Sequence, residues 1–178
     1  DAHLCTWRGD DQTGEPLQAP SPPSRCLPSW KFDATLTREV GTGSAPDGDE
    51  DALLGQIVLL LATQDSPRPL WWDALAQWAY QSCASFLHHS TTTHPTRRAS
   101  NGAPLRVLKL GSCWGGFDCS NPSYLAPAHY RVFRDFMTAH AALGDVAGGV
   151  DHHGDREIQD AASISQAWDA LIEGSYML

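Results

Sequence analysis

A mainly α-helical fold is predicted by three observations on the 178-residue sequence. Apolar residues recur at helical spacing in four separate stretches, the segments between them are long and polar or proline-rich, and a single short run has strand character. The chain is long enough for one domain with a sizeable core. Its 42% hydrophobic and 19% charged residues are ordinary for a globular protein. A net charge of −9, with 12 Lys and Arg and no basic run longer than Arg97-Arg98, argues against nucleic acid or an anionic membrane surface as partner. The longest apolar segment, 57–62, is far too short to span a bilayer.

The elements follow in chain order. Residues 8–31, "RGDDQTGEPLQAPSPPSRCLPSWK", carry no periodicity and many prolines, which remove donors and fix φ; they predict a long surface loop. The first helix carries Leu53, Leu54, Ile57, Val58, Leu60 and Leu61 and becomes apolar almost all round, which predicts burial on several sides. A second helix, from about Leu70 to Phe86, aligns Trp71, Leu75, Trp78, Ser82 and Phe86 on one face; Trp78 is expected in the core, and Trp71 and Trp72 fit either environment. Residues 88–104, "HHSTTTHPTRRASNGAP", predict a second long loop, and "PLRVLKLGS" after it a short strand, within at most one short β-hairpin. A third helix begins at Pro127, a favoured first-turn residue, with Tyr130, Phe133, Met137 and His140 on one stripe. The fourth, from about Arg156 to Tyr176, aligns Ala161, Ile164, Trp168 and Leu171, with Trp168 expected in the core.

Five cysteines divide unevenly. Cys113 and Cys119 bracket a loop short enough to close as a disulfide if its ends approach, Cys5 and Cys26 are able to pair across the proline-rich segment, and Cys83 falls within a helix as a buried thiol. Such usage fits a secreted or extracytoplasmic protein. No C-x-x-C pair suggests a zinc ribbon, and the His pairs at 88–89 and 152–153 lack the i, i+4 spacing of a helical metal site, so no metal is expected. No G-x-S-x-G elbow supports a serine hydrolase.

The most informative stretch is "GSAPDGDEDALLGQIVLLLAT", residues 43–63, where Asp47, Asp49, Glu50 and Asp51 stand directly before an apolar run. A calcium loop is a poor match, since Ala52 and Val58 occupy the positions that would need glycine and glutamate. An acidic helix N-terminus without further function remains a strong rival, because the macrodipole favours negative charge there.

Ala45-Pro46-Asp47-Gly48-Asp49 followed by a Leu-rich helix resembles the signature region of glycoside hydrolase family 8. "LCTWRGD" (4–10) is similar to the family's Leu-x-x-Trp-Arg segment upstream of the signature. "NPSYLAPAHYRVF" (121–133) is similar to a later inner helix, and "WDALIEGSYML" (168–178) to the helix after it. The resemblance implies an (α/α)6 toroid of inner and outer helices with a substrate groove across one end. On that basis residues 1–178 are expected to form a single, incomplete domain of this type.

The resemblance also implies chemistry: inverting hydrolysis of β-1,4-linked glycans such as cellulose, xylan or chitosan. A carboxylic acid protonates the departing oxygen while a second carboxylate, about 6.5–9.5 Å away, activates water. No cofactor is needed, and the implied partner is a polysaccharide or oligosaccharide. Asp47 matches the family's sugar-positioning Asp, with Asp49 as a further substrate contact and the other acidic neighbours expected mostly to cap the helix. The family's general-acid Glu belongs ahead of the 4–10 segment and has no match in the chain. Aligning Arg131 with the family's Asp-x-x-Arg places Ala128 where many members carry the base, and leaves Asp118 as the available carboxylate; the rival role for Asp118 is an ordinary turn. Trp7, Trp114, Tyr124 and Tyr130 are expected at the groove, because sugar rings stack C–H faces on aromatic rings. Arg131 is expected either to bind a substrate hydroxyl or to pair with a structural carboxylate. The alternative function is a non-catalytic carbohydrate-binding protein, or an inactive fragment lacking acid and base.

Overall fold

A computed structural model describes residues 27–38, 40, 41, 43–65, 67–142 and 161–177. Among them are four α-helices, α1 (Pro46–Ala62), α2 (Trp72–His89), α3 (Pro127–Ala139) and α4 (Ala161–Gly174). A two-stranded antiparallel sheet, β1 (Thr91–Arg98) and β2 (Pro104–Leu108), and a 3-10 turn at Pro122–Tyr124 complete the described elements. The protein is thus mainly helical with one small sheet, as expected. Trp7, Cys5, Cys26, most of the 8–31 loop and the start of the fourth predicted helix lie outside the described residues.

The core is built on Trp168 of α4, which has no exposed surface. Its indole stacks on Phe86 of α2 at a centroid distance of 6.2 Å and meets Phe133 of α3 edge-on at 5.6 Å. The indole N–H donates to the Met137 sulfur at 3.2 Å, so its polar atom has a partner inside the core. Tyr130 closes the same aromatic cluster. At the rim, Arg134 of α3 pairs with Asp169 of α4 at 2.7 Å.

Two apolar faces differ from the sequence expectation. In the apolar run of α1, Leu53, Ile57 and Leu60 are buried along one stripe, while Val58, Leu59 and Leu61 remain about half exposed. In α2 the later part of the predicted face is buried at Ser82 and Phe86, but its start is turned: Trp72 is 6% exposed, whereas Trp71 is 44% and Trp78 51% exposed. A polar contact explains the choice. The Trp72 indole donates to the Leu60 carbonyl in the last turn of α1 at 3.0 Å, and the Arg68 guanidinium lies 4.1 Å from its ring centroid. Apolar periodicity alone cannot tell adjacent tryptophans apart, but a carbonyl acceptor can.

The segment predicted as a loop at 88–104 contains the end of α2 and all of β1. Thr91, Thr92 and Thr93 pair with Leu108, Val107 and Arg106, and the register then shifts before Arg98 meets Pro104. In the shifted stretch, His94 Nδ1 accepts the backbone N–H groups of Thr96 and Arg97. The strand was hidden because most of its residues face solvent and are polar. β2 and the residue that follows it also serve α2: Arg106 donates to the Leu87 carbonyl and Thr91 Oγ1, and Lys109 Nζ to the His89 carbonyl at 2.8 Å. Two cations thereby satisfy acceptors at the negative end of a helix dipole.

α4 packs on β2 so closely at Gly174 that a β-carbon there would collide with the Arg106 carbonyl. Gly174→Ala is therefore expected to destabilise the fold by about 1–3 kcal/mol, the usual range for overpacking, read as a lower midpoint in chemical denaturation.

Candidate functional site

The site starts from the first turn of α1. Ala45 enters in extended conformation (φ −110°, ψ 128°), and Pro46 occupies the first helical turn, where its missing N–H costs nothing. Helical winding then divides the acidic run. Asp47 and Asp51 face outward, while Asp49 and Glu50 turn inward and are only 1% and 3% exposed. No side-chain capping bond is made at this N-terminus, so the expectation that the neighbours of Asp47 mostly cap the helix is corrected: two of them are buried carboxyls.

Burial dominates their chemistry. Desolvation raises Asp49 to about 7 and Glu50 to about 8, with the charge of Asp47 adding to both. Neither Asp49 oxygen has a hydrogen-bond partner in good geometry, nor does the neighbouring buried Ser44 hydroxyl, which only partly offsets the shift. Glu50 is better served: Tyr130 donates its hydroxyl to Glu50 Oε1 at 2.6 Å.

Asp47 borders an open furrow of about 390 Å³, with Asp49 and Gly48 beside it. The aromatic walls are Trp30 and Tyr124, and Ser29 contributes a polar edge. Trp30, 49% exposed, is fixed from behind: its ring lies against Gly41 so closely that a β-carbon there would collide with it. Trp114 meets its edge at 6.0 Å. The Trp30 N–H donates to the Gly43 carbonyl, and Val40 N–H to Lys31, closing a hairpin-like loop. That loop runs into α1 through Ser44, whose N–H donates to Ser112 Oγ at 2.8 Å and whose carbonyl accepts from Ser112 N–H at 3.1 Å. Gly43 takes φ 76°, a conformation open to glycine, where a side chain would strike Ser112 and Cys113.

The predicted site residues are thus distributed unevenly. Asp47 and Tyr124 meet at the furrow, whereas Asp49 lies beside it with its carboxyl buried, against the expected substrate contact; Trp114 is half-buried and supports Trp30. Tyr130, expected at the groove, is fully enclosed in the core. Arg131 is exposed and engages Tyr176, donating to its hydroxyl at 3.2 Å, and pairs with no carboxylate among the described residues. Asp118 is exposed on the turn closed by the Gly116–Cys119 bridge and does not border the furrow. Ala128 is exposed in the first turn of α3. Trp7 lies outside the described residues. Trp30 was not legible in the sequence because it closes a proline-rich, aperiodic stretch, and it reaches the acidic helix start only through the loop closed by the bond to Gly43.

The cysteines correct one further expectation. Cys119 is disulfide-bonded while Cys113 is a free, exposed thiol, so these two do not pair with each other. Cys83 is the expected buried thiol, and burial pushes its pKa up. Among the described residues no group of three or more His, Cys, Asp or Glu converges as a metal site, and no helix is long and apolar enough to cross a membrane.

Comparison with known proteins gives a consistent direction. The chain is 33% identical over 115 residues to Endoglucanase 2 of Ruminiclostridium josui, covering 64% of this chain and 22% of that protein. It is 30% identical over 115 residues to Endoglucanase C of Ruminiclostridium cellulolyticum, with the same coverage. It is 33% identical over 113 residues to Endoglucanase A of Acetivibrio thermocellus, covering 62% of this chain and 21% of that one. The chain thus spans about a fifth of the length of the relatives it matches. No protein-family model matches it, and no solved structure matches it at a significant level.

The two buried carboxyls fix a pH dependence. Their folded values, about 7 and 8, exceed the ordinary 3.8 and 4.5, so the native state holds protons that the unfolded chain releases. Their stabilising contribution is complete below about pH 4, declines progressively as pH rises from there, and is gone above about 8. Thermal melts are expected to fall across that window. Glu50→Gln should flatten the fall, recovering roughly 3–5 kcal/mol at high pH.

Proposed function

We propose that the furrow beside Asp47 binds a β-1,4-linked glycan and that the full-length protein hydrolyses that glycan with inversion. The observation that carries this reading is the juxtaposition of an exposed carboxylate with two aromatic walls, Trp30 and Tyr124, in one open trough. Pyranose rings offer C–H faces to indole and phenol and hydroxyls to a carboxylate, so the trough matches both sides of a sugar. Similarity to three endoglucanases supports the same substrate class. We further read the four helices as part of an (α/α)6 toroid and residues 1–178 as part of a single, longer catalytic domain.

In this mechanism Asp47 accepts hydrogen bonds from sugar hydroxyls and holds the ring at the scissile bond in a distorted shape. Trp30 stacks on an adjoining ring, and Tyr124 offers a second aromatic face at the same trough. Asp118 is the proposed base; since it does not border the furrow, this role requires the bound glycan and its water to extend to the loop ahead of α3. The acid is assigned to a glutamate of the full-length protein outside residues 1–178. The chemistry requires no cofactor, and a secreted location suits a polymeric substrate.

Ala128 favours a second reading: a carbohydrate-binding protein that keeps the trough without turnover. In it, Asp47 and the aromatic walls bind glycan and no residue activates water.

Reducing-sugar release from a panel of cellulose, xylan and chitosan separates the two readings; enzyme predicts release, and a binder predicts retention on the polymer with none. For the enzyme, Asp47→Asn should lower kcat about 100-fold through lost ring distortion, and Trp30→Ala should raise KM about tenfold through lost stacking. Asp118→Asn is expected to lower turnover at least 100-fold, the contribution typical of a general base; unchanged turnover would remove it from the mechanism.

A further inference from the structure

The proposed mechanism leaves the most deeply embedded polar contact of the site unused. The Tyr130 hydroxyl stands between two elements that both border the furrow. It donates to Glu50 Oε1 of α1 at 2.6 Å and accepts the backbone N–H of Ala126 at 3.3 Å. Glu50 lies one helical turn after Asp47, and Ala126 lies two residues after Tyr124. Asp47 and Tyr124 both border the furrow. The hydroxyl therefore joins the carboxylate wall to the phenol wall through two hydrogen bonds within the protein.

The segment that carries Tyr124 lies against the core through Tyr124, Leu125 and Ala126, which are partly buried there. It is a single 3-10 turn, held internally by Asn121, whose side chain accepts from the Ser123 N–H and hydroxyl, and by backbone bonds from Tyr124 and Leu125. Those bonds give the turn its shape; apolar packing is non-directional, and the Tyr130 hydroxyl adds a directional tie between the turn and α1. Tyr130 itself cannot drift, since its ring packs among Phe86, Phe133 and Trp168.

We infer that Glu50 and Tyr130 form a positioning clip that holds the Tyr124-bearing turn against the Asp47-bearing end of α1 and so sets the width of the sugar furrow. The inference rests on the glycan reading of that furrow for its kinetic consequence, but its structural consequence stands without any ligand. Glu50 faces Asp47, Asp51 and Asp49 from its own helix and Tyr130 from α3. Burial holds its carboxyl protonated up to about 8, above which a buried negative charge among three other carboxylates draws water into the clip. Both residues act through Asp47 and Tyr124 and are positioning rather than catalytic groups.

Amide hydrogen exchange of residues 121–126, normalised for the intrinsic base-catalysed rate, tests the clip in the full-length protein. Tyr130→Phe removes only the hydroxyl; it should accelerate exchange at Ala126 and its neighbours and raise KM for cellopentaose about fivefold, one hydrogen bond's worth, with kcat changed less. Glu50→Gln keeps an acceptor and loses the ionisation; it should retain protection at pH 6 and hold it above pH 8, where the unmodified protein loses it. Unchanged exchange and unchanged KM in Tyr130→Phe would overturn the inference. So would wild-type protection that stays as flat through pH 8 as that of Glu50→Gln. If Tyr130→Phe fails to fold, the comparison of wild type with Glu50→Gln decides alone. If the wild type neither binds nor cleaves cellopentaose, the glycan reading falls, while the exchange results still decide the clip.

Discussion

The phase of one helix governs this site. Four carboxylates are crowded into the first turns of α1, and a right-handed helix cannot direct all of them to solvent. Leu53, Ile57 and Leu60 commit α1 to one buried stripe, and that commitment drags Asp49 and Glu50 inward while leaving Asp47 and Asp51 outside. The cost is desolvation of two acids, met by keeping them protonated and by the hydroxyl of Tyr130. The benefit is that Asp47 stands in a defined direction, on a helix end that cannot rotate without exposing its leucines.

The rest of the molecule frames that carboxylate. Trp168 gathers α2, α3 and α4 into one aromatic core, and α3 in turn carries Tyr130 to α1. On the other side, the reciprocal Ser44–Ser112 contact ties the start of α1 to the loop bearing Trp114, and Trp114 braces Trp30. Glycines rather than side chains stand behind both tryptophans, so each ring lies directly on backbone. The aromatic wall is thereby stiff although half of Trp30 is exposed, and a rigid aromatic face loses little entropy when a ligand stacks on it.

Much of the fold was legible because helices with buried faces leave a periodic record. The stripe Tyr130, Phe133, Met137 predicted the buried face of α3, and Trp168 the centre of α4. The record fails where composition is uniformly apolar or uniformly polar. In α1 nearly every turn offers leucine on all sides, and in α2 Trp71 and Trp72 are chemically alike until Leu60 presents a carbonyl. β1 is polar because it lies at the surface, so alternation never appears. At the site, Asp47 and Tyr124 were legible through motifs, and both border the furrow. Trp30 was not, because its role comes from a loop closure that brings Gly41 and Trp114 to it. Tyr130 was misplaced for a related reason: a tyrosine at a helix start reads equally as groove or core, and only the buried Glu50 makes the core position favourable for its hydroxyl.

The account turns on a sugar ring lying beside Asp47, and a crystal structure of the full-length protein soaked with cellopentaose tests it most directly. The predicted result is a chain in the trough, with one pyranose stacked on Trp30 and a ring hydroxyl within hydrogen-bond distance of the Asp47 carboxylate. An empty trough at saturating ligand, or an oligosaccharide bound elsewhere with Asp47 untouched, would contradict it.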